Sequence, residues 1–169
     1  APRRTRIKAL LNPDQDPTGI GWQIIQSKYA FGTGGFFGQG LGEGKQKLFY
    51  LPEAHTDFIL SVVGEELGFI GVAIIIGMFF ILIQRAMRIA MAAQDTFGRF
   101  LALGIAVLFA IEATVNMGVV TGLLPTKGLA LPFLSYGGSS LLISLFAVGI
   151  LLNISVGLKL APLTGKEAR

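Results

Sequence analysis

The sequence predicts an all-α integral membrane protein, a portion of a polytopic helical bundle with three transmembrane helices and a large external loop region. Two observations lead there. Three runs, 58–84, 100–124 and 131–158, are apolar and long, and about 20 apolar residues at about 1.5 Å each cross a hydrocarbon core of about 30 Å. Charged residues make up 14% of the 169, apolar residues 52%, and mean hydropathy is +0.66, whereas a soluble domain carries about 25% charge. A disordered chain would need low hydrophobicity and high net charge, so that class is excluded. The absence of cysteine excludes disulfides and thiolate metal sites. A single histidine, His55, excludes a zinc site of several imidazoles. The chain opens Ala-Pro-Arg-Arg, with no initiator methionine and no apolar signal segment, which predicts a portion of a longer protein.

Charges in the connections set the orientation. Arg85, Arg88 and Arg99 in the 85–99 connection join Lys159, Lys166 and Arg169 of the 159–169 tail, six cations on one side. Only Lys45, Lys47 and Lys127 lie near a span on the other. Lysine and arginine accumulate on the cytoplasmic side. The 85–99 loop and the tail are therefore read as cytoplasmic, and 125–130 and 1–57 as external, periplasmic or extracellular. The cluster Arg3, Arg4, Arg6 and Lys8 falls on the external side, far from the first span, and needs a separate reason.

The external region is more than a linker. Residues 11–19, LNPDQDPTG, are turn chemistry. From Ile20 to Phe31, Trp22, Ile25 and Tyr29 recur at i, i+3 and i+7, with Gln23, Gln26 and Lys28 off that stripe. This predicts a short amphipathic helix at the membrane surface or against the bundle. Gly32, Gly34, Gly35, Gly38, Gly40, Gly42 and Gly44 then place seven glycines in thirteen residues. Gln46 follows Gly44-Lys45 where a Walker loop needs Ser or Thr, and Glu43 breaks the dinucleotide fingerprint. Two readings stay open: a compact re-entrant or surface loop, or one whose amides, with Lys45 or Lys47, meet an anionic headgroup.

Polar residues inside the spans are costly and mark either packing or function. Glu65 and Glu66 lie in the first span, Glu112 and Asn116 in the second. Asp57, Ser61, Glu65 and Gly68 form one stripe on one helix face. That stripe either packs on a neighbouring helix, through Gly64-x-x-x-Gly68, or lines a substrate cavity. Glu112 and Asn116 read as mainly structural. The third span opens with Ser135, Tyr136, Gly137, Gly138, Ser139 and Ser140, and paired glycines predict a broken or kinked start. Lys127 stands between Pro125 and Pro132 among apolar, rigid neighbours, which favours a cation positioned for a phosphate over a solvated loop charge.

The segment LPEAHTDF, 51–58, holds two carboxylates and the only imidazole at the mouth of a span. In a helix opened by Pro52, Glu53 and Asp57 share a face; in an extended segment, His55 and Asp57 do. Either way Asp57 has a titratable neighbour, and partial burial raises a carboxylate towards general-base duty. The alternative is helix capping by Thr56 or Asp57.

PEAHTDFI with GEELG, NMGVVTGLLPTKG and LPFLSYGGSS together resemble the SEDS family (shape, elongation, division and sporulation), ten-span bacterial peptidoglycan glycosyltransferases. The resemblance runs from RIKALLNP to the NIS at 153–155 as a C-terminal portion, and Ala54 with the TKG at 126–128 is closer to the division branch than to the elongation branch. It implies polymerisation of lipid II, a disaccharide-pentapeptide on undecaprenyl pyrophosphate, in the bacterial cytoplasmic membrane at the septum. It implies Asp57 as general base and Lys127 near the pyrophosphate, with Glu53, His55, Ser135, Ser139 and Ser140 shaping the substrate site. Lys45 and Lys47 join that set as headgroup contacts, and Glu65, Glu66, Gly137 and Gly138 as cavity structure. It gives the Arg3–Lys8 cluster a role in attracting a diphosphate or anionic lipid. It also implies a class B penicillin-binding transpeptidase and other division proteins as partners, no nucleic acid, and room for a magnesium or manganese ion without a dedicated metal cage. Two rival classes are a lipid-linked precursor transporter or flippase, with polar groups near the midplane, and a non-catalytic scaffold indifferent to Asp57.

Overall fold

The structure, a computed structural model, describes residues 20–40, 42, 58–125 and 130–164. Those residues form four helices and no strand: α1 (Ile20–Gly34), α2 (Ile59–Ala92), α3 (Thr96–Val120) and α4 (Gly138–Thr164). The last three are long and apolar enough to cross a membrane.

The helices do not begin and end where hydropathy sets the spans. α2 continues through Arg85 and Arg88 to Ala92 instead of stopping at Gln84. Residues 84–92 are mostly strong helix formers, and Ala86 and Ala90 are buried beside Ala102 and Ala106 of α3. The expected 85–99 loop shrinks to 93–95, since Asp95 caps α3 by accepting from the Gly98 N–H at 2.5 Å. α3 ends at Val120, short of Leu124, because Gly122 takes φ 73°. Gly122 N donates to Val119 O at 3.0 Å and Leu123 N to Gly118 O at 2.8 Å, the paired bonds of a Schellman end. Residues 131–137 form turns rather than the first part of a span. Phe133 sits at φ 66°, and the Leu131 N–H donates to Ser135 Oγ at 2.7 Å.

Small residues bring the helices together, as expected where lipid supplies no hydrophobic drive between them. One core joins Ala86, Ala90, Ala102, Ala106, Phe109, Ala147 and Leu151. A second, around Phe58, Leu60, Val62, Val119, Val120 and Leu131, seals the end where α2 begins and α3 finishes. The Phe133 ring, 5.6 Å from that of Phe109, touches both. Large apolar side chains on the outer faces of α2, such as Phe69, Ile74, Met78 and Phe80, are exposed, the pattern of a chain whose solvent is lipid or further helices.

α1 packs on the bundle with a face other than the predicted one. Gln26, Ser27, Ala30 and Gly34 are buried, whereas Tyr29 is 61% exposed and Trp22 and Ile25 are half-buried. The reason is distance. α1 and α2 approach closely enough that a Cβ on Gly34 would run into the Gly64 carbonyl, and one on Gly64 into the Phe31 ring. Only the small-residue face fits. At this contact Ser27 Oγ lies 2.8 Å from Ser61 Oγ and donates to Val120 O at 2.6 Å. One hydroxyl carries one proton, so Ser61 donates to Ser27, and the pair ties α1, α2 and α3 together.

α2 is broken once, at Gly68 (φ 67°, ψ −164°). A break frees carbonyls before it and amides after it. The glycine-rich loop after α1 meets both sets. Gln39 N donates to Glu65 O at 3.0 Å and Gly40 N to Glu66 O at 3.1 Å. In return Phe69 N donates to Gly35 O at 2.9 Å and Ile70 N to Phe36 O at 3.3 Å. The Phe36 and Phe69 rings meet edge-on at 6.0 Å. Lys45 and Lys47, on which the headgroup reading of this loop rests, lie outside the described residues.

The tight alanine contact gives a stability prediction. Ala106 is fully buried between α2 and α3, so Ala106→Leu should destabilise by about 1–3 kcal/mol through overpacking. Thermal unfolding in detergent reads this, with Ala73→Leu, on the exposed face of α2, near wild type.

Candidate functional site

The described residues next to the candidate segments, Phe58, Pro125 and Ala130, lie at one end of the bundle. Phe58, which follows Asp57, is buried there and its carbonyl receives Ser61 N at 2.9 Å. Pro125 and Ala130, on either side of the segment holding Lys127, lie beyond the C-terminus of α3 and ahead of the turn at 131–137. Asp57, Glu53, His55, Lys45, Lys47 and Lys127 themselves lie outside the described residues.

What the structure describes at this end is a cleft of about 450 Å³ lined by Ile59, Leu134, Ser135, Tyr136, Gly137, Gly138 and Leu141. Its walls are the first turn of α2, two residues after Asp57, and the turn leading into α4. Ser135 builds that turn: its Oγ accepts from Leu131 N, and its own N–H donates to Leu131 O at 3.0 Å. Its side chain is buried. Leu141 N bonds back to Gly137 O at 2.9 Å, which starts α4 at the cleft wall. The N-terminus of a long helix therefore opens on the cleft, where amides and the helix dipole favour an anion. Tyr136, 84% exposed, stands at the rim.

Of the predicted site residues in the described part, Ser135, Gly137 and Gly138 come together at this cleft. Ser139 and Ser140 do not line it. Ser139 is exposed on the first turn of α4, and the Ser140 carbonyl accepts from Ser144 Oγ at 2.8 Å. Glu65 and Glu66 are buried at the α1–α2 contact, where their carbonyls hold the loop. The stripe Ser61, Glu65 and Gly68 thus packs on a neighbouring element instead of facing this cleft. Asn116 is buried within the bundle and Glu112 half-buried.

Sequence reasoning missed Ile59, Leu134 and Leu141 as cleft walls, because an apolar residue beside a polar motif reads as span. It also missed Ser27. The signal was there: Ser27, Ala30 and Gly34 recur at i, i+3 and i+7 as small residues, complementary to Gly64-x-x-x-Gly68. Among the described residues no three His, Cys, Asp or Glu side chains are placed to hold a metal.

A helical membrane bundle of this kind, with a cleft where α2 begins and the turn before α4 packs, defines the class. A sequence profile described as cell cycle protein, of FtsW, RodA and SpoVE type, matches residues 1–160. The chain belongs to that family, the SEDS family of the resemblance. It is 91% identical over 167 residues to a protein of Trichlorobacter lovleyi named "Probable peptidoglycan glycosyltransferase FtsW", covering 99% of this chain and 44% of that one. It is 57% identical over 153 residues to the stage V sporulation protein E of Bacillus subtilis, covering 90% and 42%. A solved chain from work on structural coordination of polymerization and crosslinking by a peptidoglycan synthase complex superposes with a TM-score of 0.69. That match has 33% identity and covers 90% of this chain and 41% of that one. The rod shape determining protein RodA of Thermus thermophilus gives 0.56 at 39% identity, covering 59% and 34%. The chain spans less than half the length of these relatives.

The turn supplies a test. Ser135→Ala should cost about 1–3 kcal/mol by leaving the buried Leu131 N–H without its acceptor. The exposed Ser139→Ala should stay within about 0.5 kcal/mol. Thermal denaturation of the two variants side by side checks the contrast.

Proposed function

We propose that the longer protein containing this chain is a peptidoglycan glycosyltransferase that polymerises lipid II during cell division. The observation that supports it most is the family match over 1–160, joined to a cleft whose wall begins two residues after Asp57. Relatives named peptidoglycan glycosyltransferase add to it. On this reading the cleft end is external and the 93–95 end cytoplasmic, as the arginine distribution favours. The protein sits in the bacterial cytoplasmic membrane at the septum, paired with a class B penicillin-binding transpeptidase.

In the reaction, the 4-hydroxyl of one glycan end attacks the anomeric carbon of another. A glycosidic C–O bond forms, the anomeric C–O bond to undecaprenyl pyrophosphate breaks, and the hydroxyl proton passes to the Asp57 carboxylate. Developing negative charge on the pyrophosphate needs positioned positive charge. Lys127 supplies it, with the α4 N-terminus at Gly138 as a second, weaker source. Glu53 and His55 flank the base, Lys45 and Lys47 meet the headgroup, and the polyprenyl chain stays in the bilayer.

Two outcomes test this in the full-length protein with its transpeptidase. Asp57→Asn should lower the polymerisation rate by about 10²–10⁴-fold, the usual contribution of a general base, with lipid II consumption followed on gels. Equal polymer from the two proteins would remove Asp57 as the base, and lipid II crossing vesicles without polymer would favour the flippase. Lys127→Met should lower the rate by about 10²–10³-fold, read in the same assay. Residues 1–169 alone should make no polymer.

A further inference from the structure

The turn ahead of α4 borders two spaces. Leu134 stands in the wall of the candidate cleft and also in the wall of a groove of about 520 Å³ between α2 and α4. Ile75, Met78 and Leu82 of α2, Phe133 and Leu134 of the turn, and Val148 of α4 line this groove. Along α2 the wall runs on to Arg85, ten residues beyond Ile75 and about 15 Å. Along α4, Val148 stands ten residues beyond Gly138 of the cleft, again about 15 Å. The groove therefore leads from the cleft along the spans. Apart from Arg85, every described residue in its wall is apolar.

Phe133 builds the junction. Its φ is 66°, and a bulky residue in that region is held there only by its surroundings. Its ring stands 5.6 Å from that of Phe109 and touches both cores. The turn around it is closed by Leu134 N donating to Leu131 O at 3.3 Å and Ser135 N to the same oxygen at 3.0 Å. Phe133 and Leu134 thus line the groove, and the next residue, Ser135, lines the cleft.

The character of the wall selects its occupant. Where helices of this chain meet, the contacts are small: Ala86 and Ala90 beside Ala102 and Ala106, and Gly34 on Gly64. A further membrane helix would pack on a surface of that kind. Among the described residues of the groove wall there is no Gly, Ala or Ser. The wall is made of long, branched and aromatic side chains, and an unbranched Met such as Met78 adapts to irregular apolar shapes. A flexible, branched hydrocarbon chain fits such a wall, and the cleft beside Leu134 offers room for the polar head it carries.

We propose that this groove holds the polyprenyl chain of the substrate, threaded past Leu134 from the cleft and running along α2 towards Arg85. This rests on the cleft being the headgroup site of a lipid II polymerase, as proposed above. The chain stays at bilayer depth but lies against protein, so the groove sets affinity for the substrate and leaves the chemical step alone.

The test uses the full-length protein with its transpeptidase and lipid II carrying a diazirine in the polyprenyl chain. Irradiation and peptide mapping should place adducts on 75–82 or 133–148, suppressed by excess unlabelled lipid II and not by excess phosphatidylglycerol. Adducts confined to other segments overturn the proposal. Equal suppression by phosphatidylglycerol also overturns it, since the groove would then be a site for bilayer lipid. Kinetics gives a second readout. Leu82→Trp, which fills the groove, should raise KM for lipid II about tenfold, the worth of about two buried CH₂ groups. Its kcat should stay within about twofold, because the tail is bound alike in the ground and transition states. Ile74→Trp, on the exposed face of α2, should match wild type. Melting temperatures check folding, and if Leu82→Trp does not fold, Met78→Trp, at a wall position 61% exposed, carries the same criteria. A folded groove variant with wild-type KM overturns the proposal, as does one that loses kcat at unchanged KM. Polymer from the wild type together with adducts outside the groove removes this inference alone. No polymer from the wild type removes the function on which it rests.

Discussion

A broken helix in a membrane must find partners for the backbone groups that the break releases, because lipid offers none. α2 breaks at Gly68, and the carbonyls of Glu65 and Glu66 and the amides of Phe69 and Ile70 are met by the backbone of residues 35–40. Much of the architecture follows from this exchange. The loop must lie flat on α2, so it needs glycines at positive φ. α1, which leads into the loop, must approach α2 closely, so its contact face is small.

The two ends of the bundle differ in kind. At the Phe58 end, three chain segments converge: the start of α2, the end of α3 and the turn before α4. Their groups are closed by Ser27, Ser61 and Ser135 rather than by apolar packing alone. A second cleft, about 490 Å³, lies at the opposite end among Asp95, Phe97, Asn153 and Ile154. Arg85 and Arg88 lie on the part of α2 nearer that end, and Arg99 in the first turn of α3 donates to Ala93 O at 3.1 Å. The turn at 131–137, the N-terminus of α4 and the described residues Phe58, Pro125 and Ala130 belong to the first end.

The existence of the three long helices was legible because about 20 consecutive apolar residues seldom form anything but a membrane span. Their limits were less so, since hydropathy marks where a helix meets lipid and not where it ends. Asp95, Gly122 and the bonded pair Leu131 and Ser135 decide the ends, and each is a local backbone bond that an apolar window averages away. The face of α1 was misread for a related reason. Periodicity selects large apolar residues, whereas a close helix contact selects small ones such as Ser27, Ala30 and Gly34. The glycine run was visible, but its partner, the break at Gly68, lies about 30 residues on and shows only in three dimensions. Motifs around Asp57 and Lys127 carried the functional reading, since the chemistry of a site is written in residue types while its walls are written in packing.

The central claim is that the cleft beside Ile59 and Ser135–Gly138 receives the saccharide and pyrophosphate of the substrate. Photocross-linking tests this directly, with a benzophenone side chain at Tyr136 in the full-length protein and labelled lipid II in the membrane. The account predicts an adduct at position 136 that excess unlabelled lipid II suppresses, and none when the photoprobe is moved to Asn153 in the opposite cleft. An adduct at 153 with none at 136 would contradict it.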